Sequence, residues 1–587
     1  METDKSENRR HYFLKKHLTV VLLLIFFLTL SLLAKPIERE VVVTFQGNKM
    51  IKTSDLEALI GAKRPSVFAK WKKNIATINE LYIDKLDEVF SLYYRQEGFY
   101  EANITHTSDD KGVHFVIQEN RPIVITGVSV ESDYDLDSLV SLHEGSRFRA
   151  KAFTEMKANI AKRLLKEGLC QYDLNAKAYI DLEAYTAKIV LKLKRGTLCH
   201  FGHITVDGAG DIGEKVILSR LHFREGEVFD IYKIKESYES LYALDVFENI
   251  HMVYDTKFSK EIPVDVRYKE LKNKTTSRIG IGYATDLLFQ AKYHWEYKNF
   301  YGGGRKLLFD ALYSEKQKHL ENNFFNPAVM VLWGYHLDFQ NSVGYREERD
   351  IHDYDEKVVF DKVYLQHRED QWLHSVGLGV ENREISNDKD FFLIYPFAKV
   401  IYDLRDSKIN PTQGIYFSHE MEYGLPYSPD STIYLKYLDE LRLIYTVSGV
   451  TFSTVGRVGA IDVYQNRLPE SKKFFAGGAF SNRAYGYDRI GITTSASSDL
   501  DSGGLGMANL SVEMGFPIYK SLHLGLFSDN TMISENQQFW EFSNPIIHSA
   551  GFGLRYMTPI GPFKIDFGFN VSQYDDNALH FQIGQSF

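Results

Sequence analysis

The stretch Phe563-Lys-Ile-Asp-Phe-Gly-Phe-Asn-Val571 decides the fold. Phe563, Ile565, Phe567, Phe569 and Val571 share one parity; Lys564, Asp566, Gly568 and Asn570 share the other. Successive side chains of a strand point to opposite faces. This strand therefore has one large apolar face and one face of charges and glycine. The same alternation recurs on both sides. Leu510, Val512, Met514 and Phe516 alternate with Asn509, Ser511, Glu513 and Gly515. Leu579, Phe581, Ile583 and Phe587 alternate with His580, Gln582, Gly584 and Ser586, and Ile279, Ile281 and Tyr283 with Arg278, Gly280 and Gly282. A soluble sandwich also has a period of two, but an aromatic face opposite a charged, glycine-rich one fits lipid outside and a polar lumen inside. Lipid offers no partner to an open sheet edge, so the sheet must close. Residues 275–587 are expected to form an antiparallel transmembrane barrel on the order of 16 strands, from strands of ~9–11 residues plus connections.

Composition agrees. The chain has 587 residues, room for more than one domain. Its net charge of -9 and pI near 6.1 speak against a nucleic-acid partner. Aromatics make up 14%, while a mean hydropathy of -0.28 is too polar for a bundle of membrane helices. Arg9, Arg10, Lys15 and Lys16 precede an apolar run from Leu18 to Ala34. That order reads as an export signal over residues 1–34, with an uncleaved anchor as the alternative. The expected location is the bacterial outer membrane, with the N-terminal half in the periplasm.

That half repeats at a period of roughly 70–77 residues, the scale at which one small supersecondary unit is copied. Strands at Val41–Phe45, Ile123–Val130 and Gly202–Val206 each open a copy. Two helices are expected next, the second closed by Gly98, Gly168 or Asp245 in the manner of a helix C-cap. Two alternating strands complete each β-α-α-β-β unit. The expected boundaries are 39–120, 121–197 and 198–272. Sheets this small have edges that can accept an extended peptide.

Two motifs in this half invite other chemistry. Gly208-Ala-Gly210-Asp-Ile-Gly213 follows a strand and matches a dinucleotide fingerprint, but the unit lacks the parallel order that such a sheet needs. It reads as a glycine-rich turn. Cys170 and Cys199 are the two cysteines; in an oxidising compartment they can bridge. Cys199 with His200 and His203 is one ligand short of a zinc site, and no metal or other cofactor is expected.

One loop breaks the alternation. Lys473–Gly491 packs Gly477, Gly478 and Gly486 among Phe475, Phe480, Tyr485 and Tyr487, around one central cation, Arg483. Long ordered loops are usually functional. If this one folds into the lumen, Arg483 needs a counter-charge. Glu513 and Asp529 lie on the polar faces of the two strands that follow it.

These stretches together resemble the BamA/TamA outer-membrane assembly superfamily, whose periplasmic repeats are POTRA domains. Phe475-Ala-Gly-Gly478 with Arg483-Ala-Tyr-Gly-Tyr487 is similar to the family's lumen-loop motif, with Ala484 in place of a glycine. Asp403-Leu-Arg-Asp406 with Asn410-Pro-Thr-Gln-Gly414 resembles its mid-barrel signature. Phe581-Gln-Ile-Gly-Gln-Ser-Phe587 resembles its C-terminal β-signal, carried by Phe581, Ile583 and Phe587. Three repeats fit the TamA branch better than the BamA branch, which has more, or the two-partner secretion transporters, which have fewer. The resemblance implies three POTRA domains and a 16-stranded barrel. It also implies a lateral seam between first and last strands, where Gly280, Gly282 and Gly584 would weaken packing, or else only ease curvature. It implies unfolded outer-membrane proteins as clients and a TamB-type inner-membrane-anchored periplasmic partner. Clients would be inserted or translocated, autotransporter-like chains among them. A two-partner-type secretion pore and a BamA-like general insertase are the alternatives. No nucleophile elbow, P-loop or zinc-binding helix is present, so no enzyme is expected.

Overall fold

Gly98, Gly168 and Asp245 all carry positive φ (+90°, +72° and +52°), so each of the three helices before them ends in a left-handed residue. The structure, a computed structural model, describes residues 40–61, 76–79, 83, 85–257, 259–285, 287–349, 354–386, 388–408, 411–492, 502–519, 522–538, 545–558 and 561–583. The expected export signal, Gly584 and Phe587 lie outside these residues.

The first repeat contains β1 (Glu40–Gln46), α1 (Thr53–Leu59), β2 (Thr77–Asn79), α2 (Leu86–Gln96), β3 (Asn103–Asp109) and β4 (Gly112–Gln118). Its sheet has the order β2-β1-β4-β3, one strand more than the repeat pattern implies. Phe90, Tyr94, Phe99 and Phe115 fill its core. The second contains β5 (Val124–Ser132), α3 (Ala150–Lys166), β6 (Leu169–Cys170), β7 (Asp173–Asp181) and β8 (Thr186–Lys194), with the order β5-β8-β7. Met156, Ile160 and Leu164, four apart on α3, are all buried, as their spacing requires. The first helix expected here is absent. Residues 136–140 make a single turn, with Leu139 and Val140 N–H both donating to the Leu136 carbonyl (2.9 and 3.0 Å). The acidic run just before it favours side-chain turns instead: Asp135 Oδ1 accepts the N–H of Asp137.

The third sheet contains β9 (Thr197–Leu198), β10 (His200–Ala209), α4 (Glu214–Leu218), α5 (Ile231–Ala243), β11 (Phe247–Val253) and β12 (Glu261–Glu270), with β10-β12-β11 as its main order. The glycine-rich turn serves packing. A Cβ on Gly208 would lie 2.3 Å from the Tyr268 ring, and one on Gly210 2.0 Å from the Glu270 carboxylate. Asp230 caps α5 by accepting the N–H of Tyr232.

Sixteen strands then close a barrel in sequence order, all antiparallel. They are β13 (Thr275–Ala284), β14 (Leu288–Lys298), β15 (Lys306–Ser314), β16 (Gln317–Leu332), β17 (Tyr335–Glu348), β18 (Glu356–Glu369), β19 (Trp372–Ile385) and β20 (Phe391–Asp403). After them come β21 (Gly414–Tyr423), β22 (Ile433–Val447), β23 (Val450–Gln465), β24 (Gly506–Tyr519), β25 (Leu522–Ser534), β26 (Ile547–Thr558), β27 (Gly561–Asn570) and β28 (Asn577–Ile583). Outward-facing Leu510, Val512, Phe552 and Leu554 are exposed, and inward-facing Glu381, Arg383, Asp529 and Asp566 are buried. The apolar residues therefore face outwards and the charges inwards, the reverse of a soluble domain and the arrangement a bilayer demands.

The chain divides into two compact units: Met1–Ile160 with Leu174–Leu193, and Ala161–Asp173 with Lys194–Phe587. The second holds the third sheet and the barrel. Within it, Arg220 of the third sheet makes a buried ion pair with Asp338 of β17 (2.6 Å).

Candidate functional site: the lumen loop and the barrel seam

The segment between β23 and β24 leaves the rim and turns inwards. Phe474 and Gly504 exchange two backbone bonds (2.9 and 2.8 Å), and so do Ala476 and Ile490 (2.9 and 2.8 Å). Phe474–Ala476 is thus one arm of the loop, bridged to the returning chain at Ile490 and again at Gly504. Its tip turns at Gly477 (φ +107°) and Gly478 (φ +94°). A Cβ on Gly477 would sit 2.4 Å from the carbonyl oxygen of Gly486, so no larger residue fits the tip. The left-handed positions here are Gly477, Gly478 and Asp488, not Ala484, which is buried. The motif's departure from glycine is thus accommodated without strain.

Arg483 reaches the wall of β24–β27. Its Nε and Nη2 donate to the two carboxylate oxygens of Asp529 (2.9 Å each), a bidentate fork. Its Nη1 donates to Glu513 Oε2 (2.6 Å), and its backbone N–H to Asp529 Oδ2 (3.0 Å). The guanidinium lies 3.4 Å from the centroid of the Phe527 ring. Asp529 is 0% exposed and Arg483 6%. Arg555 extends the network to Glu513 (3.0 Å) and Asp566 (2.6 Å). Around it, Asn482 donates to Thr531 Oγ1 (3.2 Å) and accepts from Ser549 (2.7 Å). Tyr485 donates to Asp576 Oδ2 (2.8 Å) and accepts from Asn570 (2.7 Å). The loop backbone lies directly on β27: a Cβ on Gly568 would be 2.2 Å from the Arg483 carbonyl oxygen. Phe475, Gly486 and Tyr487 belong to the same loop; Tyr487 is partly exposed.

A second clamp, absent from the sequence reading, holds the base of the loop on β18–β22. Lys472 donates to Glu422 (2.9 Å), lies 3.3 Å from Glu381, and sits over the Tyr395 ring at 4.3 Å. Arg383 links Glu356 (2.8 Å), Glu381 (2.7 Å) and Ser471 (2.7 Å). Lys436 donates to the Lys472 carbonyl (2.7 Å). Glu356, Glu381, Arg383 and Glu422 all lie inward on their strands; parity alone marks them, and Phe527 likewise. Nothing in the sequence pairs them with Lys472.

The two clamps grip walls several strands apart, so the loop crosses the lumen. It can brace the barrel and obstruct it. None of these groups is arranged as a nucleophile with a base.

The barrel closes at a short seam. Among the described residues β13 pairs with β28 only at Tyr283↔Ile583 and Ala284↔Gln582, with one further bond from Thr285 N–H to the Phe581 carbonyl (3.2 Å). The other side of β13 runs ten pairs with β14, and β28 runs seven with β27. Ile279 and Ile281, beside Gly280 and Gly282, are 79% and 67% exposed. Phe581 packs on Tyr283 across the seam (6.0 Å between centroids) and on Phe563 of the neighbouring β27 (5.0 Å).

Cys170 and Cys199 form a disulfide, both fully buried in the core of the third sheet. That commits the Cys199 thiol and removes it from any metal set with His200 and His203. Among the described residues one trio of ligating type, His222, Glu236 and Asp370, brings its atoms within 4.8 Å of one another, with Asp370 exposed.

Comparison with known proteins places this architecture. The Omp85 superfamily domain matches residues 299–587, and the POTRA repeat, described as a surface antigen variable number repeat, matches 42–120 and 121–196. The chain is 20% identical over 587 residues to the outer membrane protein assembly factor BamA of Nitratidesulfovibrio vulgaris (strain Hildenborough), covering 93% of this chain and 73% of that one. It is 22% identical over 332 residues to a Treponema pallidum (strain Nichols) protein named as an outer membrane protein assembly factor, covering 52% of this chain and 39% of that one. The crystal structure of BamA from Haemophilus ducreyi lacking POTRA domains 1–3 shares the fold, with a TM-score of 0.59 at 16% identity over 79% of this chain and 99% of that one. The barrel half thus carries an Omp85 superfamily domain, and the protein has POTRA repeats in the periplasm followed by a closed sixteen-stranded β-barrel in the bacterial outer membrane.

Proposed function

We propose that this protein is an outer-membrane assembly factor that inserts or translocates client proteins by strand addition at the β13–β28 seam. The observation that carries the reading is the two-pair register there among the described residues, beside ten pairs on the other side of β13. A backbone hydrogen bond contributes about 0.5–1.5 kcal/mol net, so so short a ladder opens at low cost. An opened edge is unsatisfied in lipid, and a client strand supplies its missing partners. Folding of the client then drives the process without a nucleotide or a catalytic group.

The periplasmic units fit the same reading. Free sheet edges at β3, β7 and β11 offer sites where an extended client can add. Residues 198–272, read as a third repeat, would place the chain with the TamA branch and give it a TamB-type partner. The clamped loop, which obstructs the lumen, favours this over a two-partner secretion pore. A BamA-like general insertase differs from it in client range.

The test is a paired Ala284→Cys and Gln582→Cys substitution in the purified full chain. Oxidised, it should stop acceleration of client-barrel insertion into liposomes, and reduction should restore it. Insertion at the wild-type rate with the seam cross-linked would rule the mechanism out.

A further inference from the structure

A cleft of about 280 Å³ lies at the periplasmic rim, where residues 218–224 of the third sheet meet the start of β17 and the end of β18. Two of its cations are neutralised, Arg220 by Asp338 (2.6 Å) and Lys233 by Glu227 (2.7 Å). Two are not. Arg224 reaches only the Gly334 carbonyl (3.3 Å), and Arg368 has no carboxylate within ion-pair distance among the described residues. Two histidine nitrogens of the cleft are buried without a hydrogen-bond partner: His336 Nδ1 and His367 Nε2. The other nitrogen of His367 is held by the His336 carbonyl (2.9 Å), which fixes the ring and leaves Nε2 aimed away from it. The Glu369 carboxylate stands 3.7 Å from Nε2, beyond hydrogen-bonding range. Buried polar atoms are rarely left unpaired, and those that are call for a ligand or an ion.

The cleft sits at headgroup depth. Tyr335, which lines it, is 50% exposed, and its ring lies 5.0 Å from that of His367. Trp372, at the near end of the adjacent strand, packs tilted on Tyr402 with the ring centroids 4.5 Å apart. Exposed aromatics at strand ends mark the membrane interface. Guanidinium forks match phosphate oxygens, and basic pockets beside membrane-spanning elements take phospholipid headgroups.

We propose that this cleft binds the phosphate group of an anionic phospholipid of the periplasmic leaflet, with Arg224 and Arg368 as its cationic ligands. The site is independent of how clients are assembled. It would fix the last periplasmic unit against the bilayer at one point of the rim.

The full chain, delipidated in detergent and titrated with phosphatidylglycerol, is followed by native mass spectrometry. One lipid should bind in preference to phosphatidylcholine, and Arg224→Gln with Arg368→Gln should weaken it at least tenfold. Lys357→Gln, at the far end of the same β18, should leave it unchanged, and heat-modifiable migration confirms that each barrel is folded. Equal retention of both lipids, or no loss in the double variant, overturns the proposal. Displacement of the lipid by equimolar inorganic phosphate would also overturn it, because the cleft would then read a free anion.

Discussion

Arg483→Ala is the most direct test of the lumen clamp. The substitution removes three charge-assisted bonds and the contact with Phe527. Glu513 keeps Arg555 (3.0 Å), so the group left exposed to the loss is Asp529, which is 0% accessible to solvent. Removing one partner of a buried pair costs about 3–5 kcal/mol, and the retained backbone N–H to Asp529 puts this case near the lower end. At about 1.4 kcal/mol per decade, 3 kcal/mol is roughly a hundredfold shift in loop docking. Hydrogen exchange reads it directly. The Gly478 amide, bonded to the Tyr485 carbonyl (3.0 Å), and the Ala476 and Ile490 amides should lose protection by that factor. Strand amides of β16–β19 should not change. Arg483→Lys should fall between, since an ammonium keeps the charge but not the fork. Arg483→Met with Asp529→Leu should recover most of the protection, because an apolar pair of similar volume removes the uncompensated charge. Unchanged exchange in the alanine variant, in a barrel that still migrates as folded, would refute the reasoning.

Gly568→Ala should lift the loop from β27, because its Cβ would meet the Arg483 carbonyl at 2.2 Å; overpacking of this kind costs about 1–3 kcal/mol and should show as faster loop exchange with Arg483 intact. Lys472→Ala leaves Glu422 and Glu381 without their shared cation and should loosen the base of the loop, raising single-channel conductance in planar bilayers without unfolding the barrel. Cys170→Ala with Cys199→Ala opens a link across 29 residues, for which chain entropy predicts a loss of about 3–4 kcal/mol. The loss should appear as exchange of the β9–β10 amides, and reduction of the wild type should match it. Glu225, outside the membrane, has its carboxyl held below the usual range by the Ile204 N–H first and then by His203. A depressed carboxylate stabilises above its unfolded pKa and loses that effect as pH falls through its folded one. Protection of the Ile204 amide should therefore drop on acidification in the wild type, and be low and flat with pH in Glu225→Gln.

Much of this architecture is legible in the residues because period is local. The parity of Phe563–Val571 fixes a strand and both its faces whatever surrounds it. Gly98, Gly168 and Asp245 mark helix ends because left-handed backbone excludes most side chains. The missing helix of the second repeat shows the limit: a helical spacing over a few residues cannot outweigh an acidic turn-forming run before it. Arg483 was legible as a cation in need of a partner, and the parity of Glu513 and Asp529 put both on the inner face. What lies beneath it was not: Phe527 shares the inward parity of Asp529, but no local pattern sets its ring under the Arg483 guanidinium.

The chain by itself determined the repeat pattern, the inside and outside of the barrel, and a loop with one buried cation. Only the tertiary structure decided that Lys472 and Arg383 form a second clamp, that Gly568 is the floor under the loop, and that the barrel closes over two residue pairs among the described residues. The reason is distance along the chain. Lys472 meets carboxylates of strands that end up to about a hundred residues earlier, and the seam joins the two ends of the barrel sequence; pairing at that range depends on closure of the whole sheet and leaves no local period to read.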